Sequence, residues 1–300
     1  MKIFVTGANG FIGKCFIQSS NEWGVDTVQI TREPQYNGGM SYEEFFDYKH
    51  CHSDSVLIHL AGAAHAKFND ELAIKLNLDL SRAVFLKAAQ LKVRRVIFIS
   101  TVSLYNEQVN SINLSTPIKK REMMINTTYT KFDAEQCLRN IASESSIDYT
   151  IIRSPLVYGA GVKANFASLM KLVSKGLPLP FRLINNNKRS LVSVYNLVDL
   201  IQVCISHPKA ANQVFLVSDE HDLSTAEMVA LMANVQGKKN FALPVPVWCF
   251  KLAGKLLNKT HVIDRLTGSL QLDITHTKNT LGWEPPYSVE HGFKLAVKKP

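Results

Sequence analysis

A chain of 300 residues is too long for a small module and short for two independent globular units, which suits one large α/β domain with a smaller appendage. With 46% apolar and 20% charged residues the composition is that of a folded globular protein and excludes extended disorder. The net charge of +9 is spread over the chain, without the stripes of interleaved Arg and aromatic residues that mark nucleic-acid modules. It reads first as a solvated basic surface and second as a field that helps to capture polyphosphate ligands.

In chain order, Lys2–Thr6 is a short apolar strand and Gly10–Ser20 has helical spacing. Asp26–Thr31 and Ser55–Leu60 read as further strands, and Glu71–Leu91 as a long amphipathic helix. Arg95–Ser100 is a β-branched and aromatic strand, Thr130–Ala142 a helix, and Tyr149–Arg153 another strand. Strands alternating with helices, and few hairpin signals, predict a parallel, doubly wound sheet. Beyond it lie a loop at Lys175–Pro180, a helix at Val194–Ser206 and a strand at Gln213–Ser218. Ser224 with Glu227 three residues on predicts a capped helix start. Pro244–Leu257 is an amphipathic helix with Trp248, Leu252 and Leu256 on one side and Lys251 and Lys255 on the other. The expectation is packing of that apolar side onto the core, with attachment to a membrane surface as the other reading.

No apolar run reaches the length of a membrane span, and no leader pattern precedes the first strand, so a cytoplasmic location is expected. Five scattered cysteines without a C-x-x-C pair suit free, mostly buried thiols in a reducing compartment. The nine histidines show no ligand spacing, and no metal site is expected.

The strongest motif is Thr6-Gly7-Ala8-Asn9-Gly10-Phe11-Ile12-Gly13, lying between the first strand and the first helix. Gly7 and Gly10 let the backbone turn sharply and approach a pyrophosphate. Gly13 permits close packing of helix on sheet, and the helix N-terminus offers free N–H groups to the phosphates.

The G-x-x-G-x-x-G spacing of this loop resembles the extended short-chain dehydrogenase/reductase family. The likeness continues through His59-Leu60-Ala61-Gly62, Asn77, Phe98-Ile99-Ser100-Thr101 and Lys131 in a helix ending AEQCLR. It extends to Arg153-Ser154-Pro155-Leu156-Val157-Tyr158-Gly159, Arg189–Val194 with Asp199, and Leu281-Gly282-Trp283-Glu284-Pro285. Within the family, VKANFASLM, DLSTAEM and RLTGSLQLD look most like bacterial 4-epimerases and 4-ketoreductases acting on UDP-N-acetyl-6-deoxyhexoses in surface-polysaccharide synthesis. The resemblance implies a Rossmann-type sheet from residues 1–158 plus about 190–220, and a small substrate-binding lobe from about 159–189 and 221–300. It implies cofactor contacts by Gly7, Asn9, Gly10, Phe11, Ile12, Gly13, Leu60, Ala61, Gly62, Asn77, Ser100, Lys131 and Pro155. It also implies substrate contacts by Ser103, Asn165, Arg189 and Arg265, and a homodimer built on the two long helices.

Cofactor choice is read at the end of the second strand, where NAD enzymes usually carry an acid for the ribose 2′-hydroxyl. Thr31 and Arg32 stand there instead, which favours NADP, with NAD the alternative, since Arg32 suits a 2′-phosphate. Catalysis in this family uses a Tyr one helical turn before the Lys, and a Ser or Thr after the preceding strand. Thr101 and Lys131 match, but the position four before Lys131 is Thr127, and Tyr129 is only two residues before it. On a regular helix those two side chains diverge by about 200°. Two readings follow: a late helix start that lets Tyr129 reach the site, or a site without its phenol. Val102 and Ser103 replace the Asp-Glu pair of the family's dehydratases, which disfavours dehydration. The expected activity is NADP(H)-dependent reduction of a UDP-4-keto-6-deoxy-N-acetylhexosamine. UDP-sugar 4-epimerisation and a catalytically silent dinucleotide-binding protein are the alternatives.

Overall fold

Continuous runs such as Ile3–Thr6 (β1) and Val56–His59 (β4), buried along their whole length, can be satisfied only inside a sheet covered on both faces. The computed structural model describes residues 1–34, 39–62, 71, 74–106, 111–162 and 164–297. The remaining strands of the main sheet are Thr27–Thr31 (β2), Met40–Ser41 (β3), Arg95–Thr101 (β5), Asp148–Ser154 (β6) and Gln213–Leu216 (β9). All seven run parallel in the order β3-β2-β1-β4-β5-β6-β9. The chain starts at the centre, winds outward to β3, returns to β4 and winds the other way. This is a Rossmann-type doubly wound sheet, and its order reverses between β1 and β4, where such sheets open a crevice at the carboxyl ends of their strands.

Helices Phe11–Glu22 (α1) and Val194–Ser206 (α6) cover one face, burying Phe16, Leu197 and Ile201 against Val5, Ile58 and Ile97. Helices Tyr42–Asp47 (α2), Leu80–Gln90 (α3) and Asn126–Ser143 (α4) cover the other, with Phe45, Phe85 and Leu138 packed on Phe4 and Phe98. A third core lies beyond the sheet. It joins the short parallel pair Leu156–Tyr158 (β7) and Leu191–Ser193 (β8) to helices Ala164–Ser174 (α5), Thr225–Val235 (α7) and Val289–Val297 (α11). At its centre Tyr158 stacks on Phe166 while Phe293 meets both rings at an angle, and the Tyr158 hydroxyl donates to Asp219 Oδ2 at 2.7 Å. Helix α7 opens with the expected capping box: Ser224 Oγ accepts from Glu227 N and Glu227 Oε2 accepts from Ser224 N. The Leu281-Gly282-Trp283 motif ends helix Thr275–Leu281 (α10). There Gly282 takes the left-handed conformation at φ 62°, and the buried Trp283 indole donates to Asp199 on α6 at 2.7 Å.

Four sequence expectations change. In place of one regular helix over Glu71–Leu91, the described residues show a π-helical turn at Lys75–Asp79 running into α3. Helix α4 begins at Asn126 rather than Thr130, since Thr128 and Thr130 are buried against the fold and packing overrides their weak helix propensity. The helix predicted over Pro244–Leu257 forms at Val247–Leu256 (α8), but its apolar side is not packed on the core. Gly254 is its one buried residue, because it receives Ile263 of the following helix, Thr260–Thr267 (α9). Of the five free cysteines, only Cys204 is fully buried.

Candidate active site

The site begins where β1 ends. Gly7 adopts φ 71°, and a Cβ there would stand 2.6 Å from the backbone nitrogen of Ala61. A Cβ on Gly13 would lie 2.2 Å from the Gly7 carbonyl, so the first helical turn presses directly on the loop. Gly10 differs: it is exposed, it caps α1, and its nitrogen donates to the Gly7 carbonyl at 2.8 Å. No side chain caps α1 and no acid occupies its first turn, which leaves its N–H groups and positive dipole end for an anion. Asn9 is exposed beside Gly10, whereas Phe11 and Ile12 are half-buried against the core. At the end of β2 the Thr31 hydroxyl donates to the Glu33 carbonyl at 3.0 Å and Arg32 is exposed.

A buried polar chain ties this loop to the π turn. His59 is fully buried between Thr6 Oγ1 at 2.7 Å and Ser81 Oγ at 2.8 Å, and the Ser81 hydroxyl donates to the Asn77 carbonyl at 2.7 Å. Burial, with the Lys131 charge nearby, holds the imidazole well below its usual pKa, so it is a neutral spacer. The Asn77 amide donates to Thr130 Oγ1 at 3.3 Å, which fastens the π turn to α4. Such turns reposition a single side chain within a helix. Here the turn brings Asn77 beside Lys131: a Cβ on Gly62 would lie 2.9 Å from Asn77 Oδ1 and 3.0 Å from Lys131 Nζ.

Lys131 reaches from α4 to β5, where it donates to the Ile99 carbonyl at 3.1 Å and stands 4.5 Å above the Phe98 ring. Burial lowers its pKa to about 8, against an opposing pull from Glu135. Next to Ile99, the buried Ser100 Oγ has no hydrogen-bond partner among the described residues. An orphaned hydroxyl, a lysine ammonium, a glycine whose Cβ would fill the gap and a bare helix N-terminus together fit a dinucleotide.

Thr101 ends β5, and its Oγ1 accepts from Ser103 N at 3.1 Å. Thr101, Ser103 and Pro155 line a cavity of about 670 Å³, a size suited to a ligand of nucleotide-sugar dimensions. Arg189 and Arg265 line it too, the latter from α9, with Arg189 Nη1 donating to the Gly268 carbonyl at 3.1 Å. Asn165 stands in the first turn of α5, and its side chain lies outside the described residues.

Tyr129 is not brought to the cavity. Because α4 starts at Asn126, Tyr129 is held on a regular helix, half-buried, with the Arg121 guanidinium 4.9 Å over its ring and Arg121 in turn bound to Asp133. Thr128 lines the cavity instead. The late-start reading is therefore corrected, and Thr127 occupies the position one turn before Lys131.

The sequence reading missed part of the cavity wall: Lys119, the Met123–Ile125 stretch, Phe181 and Met228. These come from segments far apart in the chain. The basic run Lys119-Lys120-Arg121 is the one visible hint in the sequence.

The model of the NAD dependent epimerase/dehydratase family matches residues 3–218. A UDP-glucose 4-epimerase of Vibrio cholerae is 43% identical, over 99% of this chain and 94% of its own length. An N-acetyl-alpha-D-glucosaminyl-diphospho-ditrans,octacis-undecaprenol 4-epimerase of Escherichia coli O157:H7 is 22% identical, over 99% of this chain and 94% of its own length. Among solved structures, MoeE5 in complex with UDP-glucuronic acid and NAD superposes with a TM-score of 0.78 at 18% identity, covering 98% of this chain and 97% of that one. The glycine loop, the lysine of α4 and the order of the sheet thus fall together in one chain whose whole length has a close relative, and the chain belongs to the NAD dependent epimerase/dehydratase family as an NAD(P)-dependent enzyme.

Proposed function

We propose that the protein exchanges hydrogen at carbon 4 of a UDP-hexose or UDP-N-acetylhexosamine in the cytoplasm, as a nucleotide-sugar 4-epimerase. The observation that carries this reading is the cavity that sets Thr101 and Ser103 with two arginines, Arg189 and Arg265. Two guanidinium forks suit a diphosphate, and the hydroxyls suit a sugar. The 43% identical relative, named for 4-epimerisation, supports the same choice. A bound nicotinamide supplies the hydride acceptor and donor. The chain's own residues do the rest: Lys131 would hold the cofactor's ribose through its ammonium donors, and the Thr101 hydroxyl hydrogen-bonds the sugar oxygen, whose proton passes to water as hydride leaves carbon 4 and is taken back from water as hydride returns. Two copies are expected to pair through α3 and α4, where Leu86 is exposed.

The test is incubation with UDP-glucose and UDP-N-acetylglucosamine in the presence of NAD or NADP, followed by proton NMR. The carbon-4 epimer is the expected product. With no phenol one turn before Lys131, turnover is expected to be slow. Thr127→Tyr puts a phenol on the Lys131 face of α4 and is expected to raise kcat about tenfold or more, within the range of general acid–base catalysis. Tyr129→Phe, by contrast, is expected to leave kcat unchanged. Loss of turnover in Tyr129→Phe contradicts the assignment.

A second reading is NADP(H)-dependent reduction of a UDP-4-keto-6-deoxy-N-acetylhexosamine. It is favoured by Arg32, exposed at the end of β2 where an acid would repel a 2′-phosphate. On this reading NADPH binds more tightly than NADH, and Arg32→Ala removes about 1.5–3 kcal/mol of that preference. Equal wild-type dissociation constants contradict it. Consumption of NADPH with the 4-keto sugar, without epimer from the UDP-hexoses, decides for reduction. Cofactor binding without either reaction leaves a silent dinucleotide-binding protein.

A further inference from the structure

Helix α8 carries Trp248, Leu252 and Leu256 at four-residue spacing, so they form one stripe along the helix. All three are exposed, at 65%, 51% and 78%. Single exposed apolar residues are ordinary on a protein surface, but a contiguous stripe ending in a tryptophan is not. The opposite side of the helix is held to the protein, where Phe250 stacks on Phe181 with ring centroids 6.0 Å apart.

The charge along this stretch of chain is basic, with the acids Glu227 and Asp264 at its two borders. From Met228 through Ile263 the chain contains no Asp or Glu, yet it holds Lys238, Lys239, Lys251, Lys255 and Lys259, all exposed. Lys251 and Lys255 flank the apolar stripe on α8, where their long stems can lie along it while the ammonium groups reach outward. An apolar stripe containing Trp and bordered by lysines is the pattern of a helix lying in the plane of a lipid interface. The same lysines argue against a second copy as the occupant, because a two-fold contact through this face would set lysine against lysine.

We propose that α8 docks on an anionic phospholipid bilayer, the apolar stripe entering the headgroup region and the lysines pairing with lipid phosphates. Helix α9 follows directly and lines the cavity through Val262, Arg265 and Leu266. Docking therefore brings a helix of the cavity wall close to the bilayer. No helix among the described residues is long and apolar enough to cross a membrane, so the attachment is peripheral and reversible.

The experiment is flotation of the full chain with vesicles of phosphatidylcholine mixed with phosphatidylglycerol, against phosphatidylcholine alone. Binding is expected to the anionic vesicles, to weaken with salt, and to shift the tryptophan emission to the blue, a shift that Trp248→Phe removes. The double variants Leu252→Ser/Leu256→Ser and Lys251→Glu/Lys255→Glu are each expected to lower vesicle affinity about tenfold or more. Every substituted side chain is exposed, so circular dichroism should match wild type and dinucleotide affinity in solution should persist. Absence of binding to anionic vesicles overturns the proposal, as does equal binding by the variants. Self-association that Leu252→Ser/Leu256→Ser abolishes, without any vesicle binding, also overturns it and makes the face a contact between copies.

Discussion

Gly10→Val is expected to abolish dinucleotide binding while the chain stays folded. The two halves of that expectation have separate causes. Gly10 has φ −75°, which any residue adopts, and its nearest obstacle for a Cβ is the Gly7 carbonyl at 3.0 Å. The fold therefore accommodates the side chain with a small local shift. The ligand does not, because the two methyl groups of valine stand over the N-terminus of α1, where a pyrophosphate must approach the backbone. Calorimetric titration with NAD and NADP should show no measurable heat, with an unchanged melting transition. Gly13→Val makes the contrast. Its Cβ would meet the Gly7 carbonyl at 2.2 Å and Ala8 Cα at 2.7 Å, so that variant is expected to lose the fold itself. Wild-type affinity in Gly10→Val contradicts the placement of the phosphate cradle.

Lys131→Met is expected to lower turnover by about 100-fold or more while improving thermal stability. Lys131 is half-buried, and desolvation lowers its ammonium pKa from 10.5 to about 8. The sign follows from linkage. Below pH 8 the amine is charged in both folded and unfolded states, and the folded state bears the cost of burying that charge. Between about 8 and 10.5 the folded protein releases the proton first, so wild-type stability rises with pH across that window. Methionine removes the charge and keeps the volume, so the variant is more stable below pH 8 and lacks the rise. Function runs the other way: the ammonium is the donor, and wild-type cofactor affinity should weaken as pH passes through about 8. A variant with unaltered turnover, or a wild-type affinity flat across that pH range, contradicts the role given to Lys131.

The residues that were readable in the sequence are those whose environment is local. Ile3–Thr6 and Arg95–Thr101 are strands because an unbroken apolar run has no other home, and the glycine loop declares itself by its place between a strand and a helix. Ser224 and Glu227 encode their capping box within four residues. What stayed hidden depends on distant packing. The π turn at Lys75–Asp79 has the same apolar spacing as an ordinary helix, and it is marked out by the bond Asn77 accepts from Ser81 and the bond it donates to Thr130. The early start of α4 runs through Thr127, Thr128 and Thr130, β-branched residues that local propensity argues against. The far wall of the cavity joins Met123, Phe181 and Met228, which share no sequence pattern. Helix α8 shows the reverse failure: its amphipathic pattern was correct, but a pattern does not say whether core or another phase covers the apolar side.

The central claim is that the carbon-4 hydrogen of a UDP-hexose leaves and returns within the cavity lined by Thr101, Arg189 and Arg265. The most direct measurement is incubation of the protein and its dinucleotide with UDP-glucose deuterated at carbon 4, with the products read by NMR and mass spectrometry. The predicted result is the carbon-4 epimer with deuterium still at carbon 4, formed far more slowly by Arg265→Ala than by wild type at limiting substrate. No epimer from the dinucleotide-bound protein, or an epimer that has lost its deuterium, contradicts the account.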